Sequence, residues 1–197
     1  MIPDGPLLWY VNRSTGLVLI LLLTTGILLG VWSTRGDAGT RVPRFAVQSL
    51  HRNVGLLSLL LLVIHVVSAV LDEFVDIRWW QAVVPADLHY EAGWLAAGIV
   101  ASDLIVAVAL TSIVRHRLSH RGWLLLHLTS YAAWVVALAH GLGIGTDTGS
   151  GWARWTYATS GVLVTGAVVW RLIARPERPT APVTPAAVHH DRIGGLR

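Results

Sequence analysis

Four of the nine histidines in this 197-residue chain, His51, His65, His127 and His140, fall inside long apolar runs, where an ionisable side chain is costly. His51 and His65 are 14 residues apart, and His127 and His140 are 13 apart. On a helix rising ~1.5 Å per residue these intervals are roughly 20 Å, most of the thickness of a hydrocarbon core. Each run therefore carries one imidazole towards either membrane surface. If the two runs point the same way, His51 matches His127 in depth and His65 matches His140. Two bis-imidazole clamps result. Paired imidazoles are what a low-spin electron-transfer haem needs, because both axial positions of the iron are then filled. The competing reading is a set of buried histidines hydrogen-bonded between helices. Agreement of all four in depth and direction favours two b-type haems.

Cysteine is absent, which excludes disulfides, iron–sulfur clusters, thiolate metal sites and c-type haem attachment. Any redox centre must then rest on histidine. His89, His116, His120, His189 and His190 lie in loops or in the C-terminal segment, where solvation accounts for them.

The elements that must carry these residues follow from composition. With 54% hydrophobic and 13% charged residues and a mean hydropathy of +0.60, the chain is too apolar for an ordinary soluble domain. A helical span takes roughly 20 apolar residues, and five windows qualify, at 7–32, 48–71, 92–114, 122–144 and 153–174. The expected fold is all-α, a polytopic membrane helix bundle of about five transmembrane helices. The first window reads as a retained helix, because no basic segment precedes it and its apolar run exceeds a usual signal core. Residues 1–174 form the expected haem-binding domain. Residues 175–197, opening Arg175-Pro176-Glu177-Arg178-Pro179, are rich in proline and expected to form a disordered cytoplasmic tail.

Charge sets the expected orientation. Arg35, Arg41 and Arg44 occupy the loop at 33–47, Arg115, Arg117 and Arg121 the loop at 115–121, and Arg171, Arg175 and Arg178 the last helix end. These regions should face the cytoplasm. The loop at 72–91 carries Asp72, Glu73, Asp76, Asp87 and Glu91, and that at 145–152 carries Asp147; both should lie outside. The N-terminus is then outside and the C-terminus inside a cell membrane, and the second and fourth helices both run outward. Basic residues confined to short loops orient a protein among membrane lipids and do not indicate nucleic acid. A short interfacial helix is expected around Trp79 and Trp80.

One angle does not fit. An ideal ~100° step leaves His51 and His65 about 40° apart around their helix but His127 and His140 about 140° apart. Either the fourth helix bends or the haems flank different sides of it.

Other polar and aromatic residues have two readings each. Arg13, near the outer end of the first helix, is placed to pair bidentately with propionates of the outer haem, or else to snorkel to the surface. Arg52, beside His51, is placed likewise for the inner haem or is simple positive-inside charge. Asp103, at the middle of the third helix, is expected to bond a ligand imidazole or Arg13, or to make an interhelical hydrogen bond without redox role. Trp134 lies between His127 and His140, as a relay between the haems or as packing. Gly55, Gly141 and Gly143 lie near the histidines and are expected to let a macrocycle approach the backbone.

The spacing of His51 to His65, and of His127 to His140 two helices later, resembles the ferric reductase-like transmembrane domain shared by ferric reductases and NADPH oxidases. Trp9-Tyr10-Val11-Asn12-Arg13, Leu50-His51-Arg52-Asn53 and His140-Gly141-Leu142-Gly143-Ile144-Gly145-Thr146-Asp147 look like its stand-alone bacterial branch. The resemblance implies two haem b groups, with His51 and His127 on the inner and His65 and His140 on the outer one. In the oxidase branch an aromatic occupies the position between the haems, which Trp134 would fill. The large members continue into FAD- and NADPH-binding domains, whereas no G-x-G-x-x-G turn in a strand–helix context occurs in this chain. The expected donor is thus a flavoprotein or a quinol.

The expected function is a di-haem cytochrome b, the electron-transfer subunit of a transmembrane oxidoreductase. It would pass electrons from a cytoplasmic-side donor to an extracytoplasmic acceptor, whether ferric chelate, oxygen or flavoprotein. One alternative is a quinol-oxidising anchor for a periplasmic reductase, and another is a non-redox transporter or assembly factor with structural histidines.

Overall fold

The computed structural model describes residues 7–33, 43–72, 75–145 and 149–173. These form five long helices, α1 (Leu7–Ser33), α2 (Arg44–Leu71), α3 (Ala92–Ile113), α4 (His120–Ile144) and α5 (Gly151–Ile173). Two single 3-10 turns, Trp79–Ala82 and Arg115–Arg117, lie in the connections. All five helices are long and apolar enough to cross a membrane. The chain is an all-helical, multi-pass membrane protein, as expected. The tail at 175–197, and Arg35, Arg41, Glu73, Thr146 and Asp147 of the loops, lie outside the described residues.

Helix limits agree with the apolar windows except at the start of α2. That helix begins at Arg44, not at 48, with Pro43 as its extended N-cap. An apolar window misses this first turn because it opens on the charged Arg44, while the fixed φ of proline suits the residue that leads a helix in. The short element at Trp79 and Trp80 is present as the 3-10 turn. Gln81 organises it from a buried position: its Oε1 accepts the Arg78 N–H, and its Nε2 donates to the carbonyls of Ala86 and Asp87.

The outward faces are apolar, with Leu125, Val162 and Leu172 each more than two-thirds exposed, as lipid rather than water permits. Burying one apolar face against another gains little in lipid, so helix association rests on close packing and on polar groups satisfied inside the bundle. Interior hydroxyls accordingly bond back to their own helix, Thr24 to the Ile20 carbonyl at 2.7 Å and Ser58 to that of Val54 at 2.8 Å. The most extensive contacts join α1 to α2 and α3 to α4; further contacts of α2 with α3 and α4 with α1 close a four-helix bundle, and α5 packs on α1. Ile20, Ile27, Val31, Trp134 and Val164 form the core where α1, α4 and α5 meet. At the end nearer residues 75–90, Ile77, Leu95 and Ile99 make a second cluster with Leu88 and Ile144.

Candidate functional site: two facing histidine pairs

The bundle brings the four intrahelical histidines together as two pairs. The ring centroids of His51 on α2 and His127 on α4 are 6.1 Å apart, and those of His65 and His140 are 6.5 Å apart. All four rings are partly buried. Helix α4 is continuous from His120 to Ile144, and despite the angle between them both of its histidines reach α3 and their partners on α2.

Each ring is held from behind by the helix next to its own. His51 Nδ1 donates to the Gly26 carbonyl at 2.9 Å, His65 Nδ1 to the Asn12 carbonyl at 3.0 Å, and His140 Nδ1 to the Trp94 carbonyl at 2.7 Å. Four residues after each acceptor stands a glycine, Gly30, Gly16 and Gly98 respectively. In an α-helix the carbonyl of residue i−4 points at residue i, so a missing side chain at i opens a notch through which a ring from outside reaches that oxygen. A Cβ at Gly30, Gly16 or Gly98 would lie 3.4, 3.0 or 2.5 Å from the Cε1 of the histidine it faces. Asn12 strengthens the His65 contact by donating its side-chain amide to the His65 carbonyl at 2.9 Å.

The fourth ring departs from this rule. His127 faces Ser112, whose Oγ lies 3.4 Å from its Nδ1 and itself donates to the Val108 carbonyl at 2.7 Å. Ser112 follows Gly98 by 14 residues on α3, as Gly30 follows Gly16 on α1 and His65 follows His51 on α2. Trp123 stacks on the other side of His127, with ring centroids 5.0 Å apart and planes inclined by 24°, and the Arg115 guanidinium lies 5.3 Å above the indole.

Beside the His65/His140 pair is a cavity of about 250 Å³, lined among others by Gly16, Gly98, Arg13, Tyr157 and both histidines. Arg13 thus stands at the site, its Cζ 4.0 Å over the ring of Trp9. Arg52 is exposed beside His51. Trp134 is 5% exposed in the α1/α4/α5 core, its indole N–H donating to Thr24 Oγ1 at 2.9 Å. Asp103 is partly buried, outside the cavity lining, and makes no hydrogen bond or ion pair among the described residues. The bonds expected of it to an imidazole, Arg13 or a neighbouring helix are not formed there.

The glycines singled out beside the histidines have different surroundings: Gly141 lines the cavity beside His65 and His140, while Gly143 is not part of that lining. Gly141 makes room for the Tyr157 ring and Gly143 for the Trp94 indole, while a Cβ at Gly55 would meet nothing within 4 Å. Adjacency along the same helix does not place a glycine opposite its own histidine. The notches that matter, at Gly16, Gly30 and Gly98, are on the neighbouring helices, and their one available signal in the sequence is the shared 14-residue interval.

The structure is that of an apolar multi-pass bundle with imidazoles paired at two places along it, a donor set that suits a metal centre. The chain belongs to the family of the ferric reductase like transmembrane component, which it matches over residues 15–138. Membership implies transmembrane electron transfer through haem. Comparison with curated proteins finds no match. The side chains present fit such a group: a metal held at about 2 Å by one nitrogen of each imidazole sets the ring centroids roughly 6 Å apart, and the donor set is histidine alone. Holding Nδ1 fixes the tautomer and leaves Nε2 as the ligating atom.

Proposed function

We propose that this chain is a di-haem cytochrome b that carries electrons across the membrane from a cytoplasmic-side donor to an extracytoplasmic acceptor such as a ferric chelate, oxygen or a flavoprotein. One observation carries the reading: two facing histidine pairs at separate depths, each ring braced on its Nδ1. In this reading His51 and His127 hold the inner haem, and His65 and His140 the outer. Haem iron supplies one-electron chemistry when bound. The protein's own part is to ligate, to orient and to exclude water. The carbonyl acceptors raise the basicity of the ligands, as outer-shell partners of metal-bound histidine do. Arg13 pairs with the outer propionates and Arg52 with the inner ones, and Trp134 bridges the depth between the two centres.

Two haems per chain are the expected result of a reduced-minus-oxidised spectrum with haem quantified against protein. His51→Ala or His127→Ala should remove one centre, and His65→Ala or His140→Ala the other. A parent protein with a single haem, or with none, would overturn the paired-ligand reading.

The donor is proposed to be a flavoprotein or quinol, because no phosphate-cradling glycine turn occurs in the chain. A bis-histidine iron also has no vacant position for hydride. The 197-residue chain in nanodiscs should therefore leave NADPH unoxidised and become reduced when a donor is added. Docking at Arg115, Arg117 and Arg121 predicts that the rate with an acidic donor protein falls as salt rises. Rapid haem reduction by NADPH alone would defeat this.

A further inference from the structure

Three of the four rings rest on a backbone carbonyl at 2.7 to 3.0 Å and the fourth on a hydroxyl at 3.4 Å, so the two centres are not equivalent. We propose that Ser112 is a positioning residue that weakens His127 as a ligand, and so raises the reduction potential of the His51/His127 centre above what a carbonyl brace would give. The inference rests on the haem reading above.

The difference lies in what receives the proton on Nδ1. A ring that ligates through Nε2 carries its proton on Nδ1, and a strong acceptor there pushes electron density towards the metal. Carbonyls at 2.7 to 3.0 Å serve His51, His65 and His140 in this way. Thr15 Oγ1 also lies 3.4 Å from His65 Nδ1, but beside the nearer Asn12 carbonyl. For His127 no carbonyl accepts among the described residues, and the oxygen within reach is Ser112 Oγ at 3.4 Å. That distance is beyond the usual N–H···O range, so the bond is weak. The Val108 carbonyl, which the notch pattern assigns to this ring, accepts from the Ser112 hydroxyl at 2.7 Å and from Thr111 Oγ1 at 3.2 Å, and the Ser112 side chain fills the notch through which the ring would reach it. Ser112 therefore blocks a strong acceptor and offers a weaker one. A less basic imidazole stabilises ferric iron less, which raises the potential.

Glycine and alanine at position 112 separate this from a merely structural role, because both remove the hydroxyl yet differ in what they uncover. Ser112→Gly opens the notch, allows His127 Nδ1 to donate to the Val108 carbonyl, and should lower the midpoint potential of the His51/His127 centre. Ser112→Ala removes the hydroxyl while its methyl keeps the notch closed; Nδ1 loses its acceptor and the potential should rise. Ser112→Thr keeps the hydroxyl and should stay near the parent value. The measurement is a spectroelectrochemical titration of the two-haem protein, with low-spin electron paramagnetic resonance as a second readout of ligand strength. The His65/His140 centre, untouched by all three changes, serves as the internal reference. Shifts of the same sign for glycine and alanine, no shift for either, or loss of the centre in the threonine variant would overturn the proposal. A parent lacking the second haem would instead overturn the functional reading beneath it.

Discussion

Gly98→Val is expected to halve the haem content, removing the centre between His65 and His140 and sparing the other. The reason is steric. A Cβ on Gly98 would lie 2.5 Å from His140 Cε1 and 2.6 Å from its Nδ1, against the roughly 3.5–4.0 Å at which carbon atoms rest comfortably. The ring has no easy retreat, because its Nδ1 is bonded at 2.7 Å to the Trp94 carbonyl one turn earlier on α3. Moving the ring away breaks that bond and draws Nε2 out of line with His65. The same change at Gly166, an exposed position of α5, the helix that carries no histidine, where a Cβ would meet nothing within 4 Å, should leave both haems in place. Pyridine haemochrome quantification on the two purified variants decides the matter. Full haem content in the Gly98 variant, or equal haem loss in the Gly166 variant, would show that the notch does not position the ligand.

How far the sequence led, and where it stopped, follows from what each feature depends on. The five spans depend on local apolar content, which a single run of residues carries by itself, and they were legible to within a few residues except where the charged Arg44 begins α2. The histidine pairs depend on depth, which chain direction and a fixed rise per residue deliver, so His51 with His127 and His65 with His140 were legible as well. The braces behind them were not. Which carbonyl meets His140 depends on α3 lying against α4, and no property of residues 94–98 announces that. The 14-residue interval shared by Gly16 and Gly30, Gly98 and Ser112, and His51 and His65 becomes meaningful only when the helices are side by side. The rotation of His127 relative to His140 was not enough to place the rings, because an ideal helix predicts where Cβ atoms point, not where long side chains end.

Trp134→Ala is expected to destabilise the bundle by about 3–5 kcal/mol, the usual cost of truncating a large buried aromatic. The indole is 5% exposed and is shared by three helices, touching the core of Ile20, Ile27, Val31 and Val164. Trp134→Phe retains most of that packing and forfeits the bond to Thr24 Oγ1, a loss of about 1 kcal/mol. Thr24 itself is not stranded, because its hydroxyl still donates to the Ile20 carbonyl. The pair of substitutions also separates packing from the proposed relay between the two centres. Trp134 stands seven residues past His127 and six before His140; on the proposed relay reading an aromatic ring there would shorten the path between them, and phenylalanine should preserve much of what alanine loses. Unfolding midpoints give the stability difference. Electron equilibration between the centres, followed after flash reduction below the unfolding temperature of the weakest variant, gives the rate. If packing alone holds Trp134 in place, the alanine variant will equilibrate as fast as the parent while unfolding earlier; a slowed alanine variant beside a near-normal phenylalanine variant identifies the ring as part of the electron path.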